Sequence, residues 1–185
     1  MPRVLDVYDT IGLTLASNDD LIVGRTTIQK LIYFETVKIP EIRIEPYTAY
    51  FYGPFNRQVA EALEFMVVSD ILEEKKVRSF NSGYQYKVTD KGRPIIQNLT
   101  KKLESSYFKI EEIVTNCNEF CQLRSNPLSF AAKVHYMLRS TRNKKGISLT
   151  EAKDIGKTLG WDISKSEIEE GAQLLEYLNL VKIQK

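Results

Sequence analysis

Cysteine occurs only twice in the 185 residues, at Cys117 and Cys121. Two cysteines one helical turn apart build no disulfide framework, and a reducing cytoplasm is the expected compartment. Histidine occurs once, at His135. No Ser-His-Asp or Cys-His pair is therefore assured. Cys117, Cys121 and His135 together also fall short of the four ligands of a structural zinc site. Burial in a helical face suits the two cysteines better, since free cysteine is commonly buried. No glycine-rich phosphate loop is present. No apolar run approaches the ~20 residues of a membrane span, and the start of the chain, Met1 to Asp6, lacks the shape of a signal peptide. An excess of one charge is missing too: 26 Lys and Arg stand against 24 Asp and Glu, a net +2. Composition alone thus gives no case for a polyanionic partner. The expectation is a protein with no catalytic centre, metal or cofactor.

What is present organises around residues 47–92. Tyr47-Thr48-Ala49-Tyr50-Phe51-Tyr52 is aromatic and strand-favouring, and Gly53-Pro54 breaks it. Pro54 sits where the first turn of a helix tolerates it. Val59, Leu63, Met66 and Val67 then share one stripe at helical spacing. A charged stretch from Glu73 to Arg78, a Ser-Phe-Asn-Ser-Gly turn and the alternating run from Tyr84 to Thr89 follow, the last reading as a half-buried strand. Helix, strand, polar tip and strand form the second half of a winged helix-turn-helix. Upstream, the spacing predicts a helix from about Val4 to Leu15. It predicts a second from Thr26 or Thr27, either of which can cap it, to about Lys38.

Downstream, Ile96, Leu99, Leu103, Ser106, Ile110, Ile113, Cys117 and Phe120 follow an a/d seam over about four heptads. This predicts one long helix. Its partner is either the first helix of the same chain or a second copy, and a long regular seam favours the second copy. On that reading Leu99, Leu103, Ile110 and Ile113 form a homodimer interface. Beyond Pro127 the pattern gives a helix, a short helix ended by Gly160, a turn capped at Ser164 or Ser166, another helix and a terminal strand, Leu180 to Ile183. The expected fold is mostly α with a small β-wing (α+β), as tandem winged-helix domains joined by a long helix. The expected divisions are 1–94 (winged helix), 95–123 (linker and dimerisation helix) and 124–185 (second winged-helix-like domain).

Two stretches carry a resemblance. The run Arg25-Thr26-Thr27-Ile28-Gln29-Lys30-Leu31-Ile32-Tyr33-Phe34, then Tyr50-Phe51-Tyr52-Gly53-Pro54-Phe55, resembles prokaryotic winged-helix proteins that include the Panacea-type antitoxins, with their K-L-x-Y…Y-G-P pattern. Tyr86-Lys87-Val88-Thr89-Asp90-Lys91-Gly92-Arg93 is similar to the end of the wing in PadR-like and MarR-like repressors. The resemblance covers roughly residues 20–95. It implies the winged-helix fold and a regulatory role, and no catalytic residue.

Two functions follow. In the first, the chain binds double-stranded DNA in transcriptional control. Asn56, Arg57 and Gln58 would read bases at the start of a recognition helix. Lys75, Lys76, Arg78, Lys91 and Arg93 would hold phosphates. Each has a plainer reading: Arg57 and Glu61 can pair at i, i+4, and lysines on a hairpin discourage edge-to-edge association. In the second, the chain is a protein-interaction module, an antitoxin or adaptor. Glu61 and Glu64 would repel phosphates, and Glu167, Glu169, Glu170 and Glu176 make a second anionic helix. Arg142, Lys144 and Lys145 form a basic loop able to touch a backbone. Tyr47, Tyr50, Tyr52, Tyr84 and Tyr86 are either a stacking platform or one face of a sheet. A positive face shared by the wing and the 56–68 helix would favour DNA; a mixed face would favour the module.

Overall fold

The computed structural model describes residues 3–77, 83–141 and 146–183. Among them are eight helices and five short strands, a mixed α+β chain dominated by helix. Helix α1 (Val7–Ala16) starts where the Asp6 carboxylate accepts the Asp9 N–H, satisfying one of the free donors of a helix start. Strand β1 (Leu21–Val23) follows, then α2 (Arg25–Lys38). The predicted threonine cap of α2 is not used. Gly24 takes the capping position at φ 102°, and Thr27 is buried, its hydroxyl donating to the Leu123 carbonyl.

Strands β2 (Thr48–Tyr50) and β3 (Gly53–Phe55) form a hairpin with Phe51 and Tyr52 at its tip. The Gly53-Pro54 pair was expected to break the strand and open the helix. It lies inside the hairpin instead, and the helix α3 (Arg57–Val68) begins only after Asn56. Proline is tolerated there because a two-stranded ribbon leaves one side of each strand unpaired. Gly53 adopts φ 99°, and a Cβ there would lie 3.1 Å from Cγ of Lys133, so glycine serves both the turn and the close approach.

After α3, strands β4 (Leu72–Val77) and β5 (Gly83–Val88) pair antiparallel with Leu72 opposite Val88, and β1 joins the free edge of β5 with Leu21 opposite Lys87. The sheet order is β1-β5-β4. Residues Leu72, Tyr86 and Val88 point into the core with Val59, Leu63 and Met66 of α3.

The expected single long helix is two helices, α4 (Arg93–Lys102) and α5 (Glu104–Cys121). Leu103 breaks them at φ −119°, ψ 31°, outside the α region. The seam nevertheless stays on one side. Ile96, Leu103, Ile110, Ile113 and Cys117 are buried and Leu99 is half-buried, packed in the one core that also holds Ile11, Leu15 and Ile28. α4 and α5 lie along α1, and α5 also touches α2. Ile110 and Ile113 are thus covered from within the chain, while Leu99 keeps part of its surface exposed.

The last three helices are α6 (Ser125–Ser140), α7 (Leu149–Thr158) and α8 (Lys165–Tyr177). Ser148 with Glu151, and Ser164 with Glu167, make complete capping boxes for α7 and α8. α8 crosses α6 closely, because a Cβ at Gly171 would sit 2.7 Å from the Phe130 carbonyl carbon. α6 in turn rests on α2 and β3. The expected strand over residues 180–183 does not form among the described residues. No helix of the described residues is long and apolar enough to cross a membrane.

Candidate protein-interaction surface

Asn56, expected to read a base, is 1% exposed. Its Oδ1 accepts the Val59 N–H as the cap of α3, and its Nδ2 donates to the Glu45 carbonyl. Its backbone is held from the other side. The Asn56 N–H donates to Oε1 of Gln29, whose Nε2 donates to the Asn56 carbonyl at 2.9 Å. Every polar group of Asn56 is spent on fixing the hairpin to α2 and α3, so it cannot face a groove. Gln58 is half-buried, and its Oε1 accepts the Glu45 N–H. Arg57 is exposed, but its Nε donates to Glu61 at 2.6 Å.

The wing cations have similar fates. Lys75 pairs with Glu73 at 3.0 Å, and Lys91 donates to the Ser69 carbonyl near Asp70. Arg93 pairs with Asp20 and Asp90. Lys87 lies opposite Glu73 in the β4–β5 register. Arg25, at the start of α2, is held by both oxygens of Glu74 and lies 4.3 Å from the ring centre of Tyr84. Burial pushes the Glu74 carboxyl up, but the hydrogen bonds from Tyr86 and Arg25, with the charge of Arg25, together hold it below its usual value. Tyr86 is buried and donates to Glu74. Tyr84 and Tyr86 are therefore sheet neighbours, far from a stacking platform. Among the described residues of the wing, Lys76 and Lys87 are exposed cations without an ion-pair partner. Arg78 and the loop cations Arg142, Lys144 and Lys145 lie outside the described residues. Among the described residues, the cations of the wing and α3 thus lie interspersed with carboxylates rather than on a common positive face.

The outward side of α3 is instead apolar and acidic. Phe65 is 57% and Val68 85% exposed, and both Glu61 and Glu64 are exposed on the same helix. Positions 61, 64, 65 and 68 follow the 3-4 spacing of one helical stripe. Tyr8 of α1, also exposed, meets Phe65 edge to face with ring centres 5.7 Å apart. Such a pair holds both rings in place. Arg57 neutralises Glu61, which leaves Glu64 to set a net negative charge on the stripe. Sequence periodicity marks the buried stripe of α3 and leaves its other side unassigned; the signal for this surface was the presence of Phe65 and Val68 off the core stripe.

A second exposed aromatic feature is the tip of the β2–β3 hairpin. Tyr50, Phe51 and Tyr52 are all exposed. Tyr50 packs against Phe51 and Phe55, with ring centres 4.8 and 5.2 Å away. The Tyr50 carbonyl accepts the indole N–H of Trp161 at 2.6 Å. The base of the hairpin is tied to α2, since the buried Lys30 donates from Nζ to the Pro54 carbonyl at 2.8 Å. The lysine of K-L-x-Y and the Gly-Pro of Y-G-P therefore meet in space. Their work is to brace the hairpin that carries the exposed rings. Tyr47, the remaining member of the aromatic set, is half-buried against Tyr33, ring centres 5.0 Å apart.

Cys117 and Cys121 are buried and free, and burial pushes both thiols up. No group of three potential metal ligands occurs among the described residues. The chain matches no protein-family model and no curated protein.

Proposed function

We propose that this chain is a protein-interaction module of the antitoxin or adaptor kind, built on a winged helix. The winged helix comprises α1, β1, α2, α3, β4 and β5, and α6 to α8 repeat its helical part without a wing. One observation carries the reading. The helix in the recognition position turns Phe65 and Val68 outward on the same stripe as Glu61 and Glu64. Phosphates would be repelled there, and two exposed apolar side chains would gain nothing from them. The partner that fits is a protein surface with an apolar pocket for Phe65 and Val68 and basic residues around it.

DNA binding is kept as the second reading. The order of helices and hairpin, and the unpaired Lys76 on β4, favour it. The two separate cleanly. In the module, Phe65→Asp with Val68→Asp abolishes partner binding, because it removes both anchors and adds like charge. Lys75→Ala with Lys76→Ala leaves it within about 0.5 kcal/mol. Duplex DNA titrated by anisotropy at about 50 and 200 mM salt should bind only weakly at both. A DNA reader would behave oppositely. It would bind tightly at low salt with a steep salt slope, and the double lysine substitution would flatten that slope by about 1–2. All four side chains are exposed, so circular dichroism should show each variant folded.

A further inference from the structure

A cleft of about 370 Å³ lies between α2, residues 44–47 and α6. That volume suits a ligand of one or two rings. Its floor is aromatic. Tyr33 is buried there with its hydroxyl 2.8 Å from Nδ1 of His135, and Tyr47 and Tyr136 form walls with Val37 and Ile44. Burial keeps His135 neutral, with its pKa lowered to about 4, and raises the Tyr33 hydroxyl far above its usual range. The floor therefore offers no charge at neutral pH.

The rim does. Arg139, at the last turn of α6, is exposed and lines the cleft. No carboxylate pairs with it among the described residues. Its positive field reaches both Tyr33 and His135. The hydroxyls of Thr36 and Ser140, also on the rim, donate back to the carbonyls of Tyr33 and Met137, which leaves their oxygens as acceptors only. Arg139 is thus the group placed to fix the orientation of a ligand. Glu45, an exposed carboxylate, lines the same cleft; its backbone is held by Gln58 and Asn56, and its carboxylate has no partner among the described residues.

We infer that this cleft binds a small aromatic carboxylate, its ring against Tyr33, Tyr47 and Tyr136 and its carboxylate on Arg139. Ring burial between tyrosines supplies apolar contact and edge-to-face packing, and guanidinium recognition of a carboxylate adds two parallel charge-assisted hydrogen bonds. The site is separate from the α3 surface and does not depend on the function proposed for it.

The chain has a single tryptophan, so its indole N–H gives one resolved signal in an ¹⁵N-labelled spectrum. Trp161 packs edge to face on Tyr136, ring centres 5.8 Å apart, so it reports on the cleft from behind one wall. Phenylacetate titrated into the intact protein is expected to shift that signal saturably, with half-saturation at or below about 1 mM. Phenylacetamide, without the charge, should bind at least about tenfold more weakly. Arg139→Gln should weaken phenylacetate by a similar factor, and Glu45→Gln should tighten it by removing a like charge. Both side chains are exposed, and opposite signs from two rim substitutions are what loss of fold cannot produce. The inference is overturned if neither phenylacetate nor indole-3-acetate saturates by about 10 mM. It is equally overturned if the acid and amide bind alike, or if Arg139→Gln binds as the wild type does.

Discussion

Glu35→Gln is expected to stabilise the protein at pH 8 and to destabilise it at pH 4.5 by about 1–2 kcal/mol. Glu35 lies on α2 with no exposed surface. Burial raises its pKa to about 8, against the smaller downward pull of Thr14. The Thr14 hydroxyl oxygen is 3.0 and 3.1 Å from the two carboxylate oxygens and 2.7 Å from the Thr10 carbonyl. A hydroxyl has one proton, so it cannot serve all three acceptors at once. Protonated Glu35 resolves this: its O–H donates to Thr14, and Thr14 donates to Thr10. The unfolded carboxyl titrates near 4.5. Stability from this group is therefore fully present below pH 4.5 and is lost as pH rises toward 8. At about 1.4 kcal/mol per pH unit between the two values, the loss by pH 8 is on the order of 3–5 kcal/mol. Glutamine cannot ionise and still donates to Thr14. One amide N–H is left without a partner, at about 1–2 kcal/mol. The net gain at pH 8 should be about 2–3 kcal/mol, and the loss at pH 4.5 about 1–2 kcal/mol. Urea unfolding of both proteins at both pH values checks it. An equal difference at the two pH values would mean that Glu35 is not protonated in the fold.

Lys30→Met should show the reverse pH dependence. Lys30 is 2% exposed, and burial, with Lys133 nearby, lowers its pKa to about 7. The folded amine is neutral above pH 7, while the unfolded one holds its proton to about 10.5. Stability from this group is present above 10.5 and is lost as pH falls through that window to about 7. The charged form therefore costs the wild type on the order of 3–5 kcal/mol at pH 6. Methionine has a similar length and no proton, but it leaves the Pro54 carbonyl without its donor, a loss of about 1–3 kcal/mol. The variant should then be more stable than the wild type at pH 6 by about 2 kcal/mol and less stable near pH 10. The crossing point is the observable, read from unfolding curves at half-unit steps. A variant less stable at every pH would show that Lys30 carries its charge inside the fold.

Neither buried group was legible in the sequence. Glu35 falls seven residues after Ile28 on the same stripe as Leu31 and Ile32, yet residue type alone does not say that it is buried and protonated, and Lys30 lies off that stripe. The reason they point inward is tertiary: α1, α5 and α6 and the hairpin enclose α2 on all sides. The central plan was legible for the opposite reason. The stripe on α3, the alternation on β5 and the cap at Ser164 are local, and local chemistry fixed them. The break at Leu103 leaves no mark in the pattern because the a/d spacing continues across it. A seam reads the same whether one helix or two carry it, and whether its cover comes from the same chain or another. The failure of Asn56 as a base reader has a similar origin. Asn, Arg and Gln at a helix start fit a groove, yet asparagine there is also a strong cap, and Glu45 and Gln29 arrive from elsewhere in the chain to complete its bonding.

The proposal that α3 meets protein rather than DNA is tested most directly by placing a photo-crosslinking amino acid at position 65 of the full chain, in the cells that make it. Ile95, exposed on α4, is the control position. The expected result is a protein adduct of one discrete mass at position 65, absent at position 95 and lost when Val68→Asp is added. A nucleic-acid adduct at position 65, or no adduct above the position-95 control, would contradict the account.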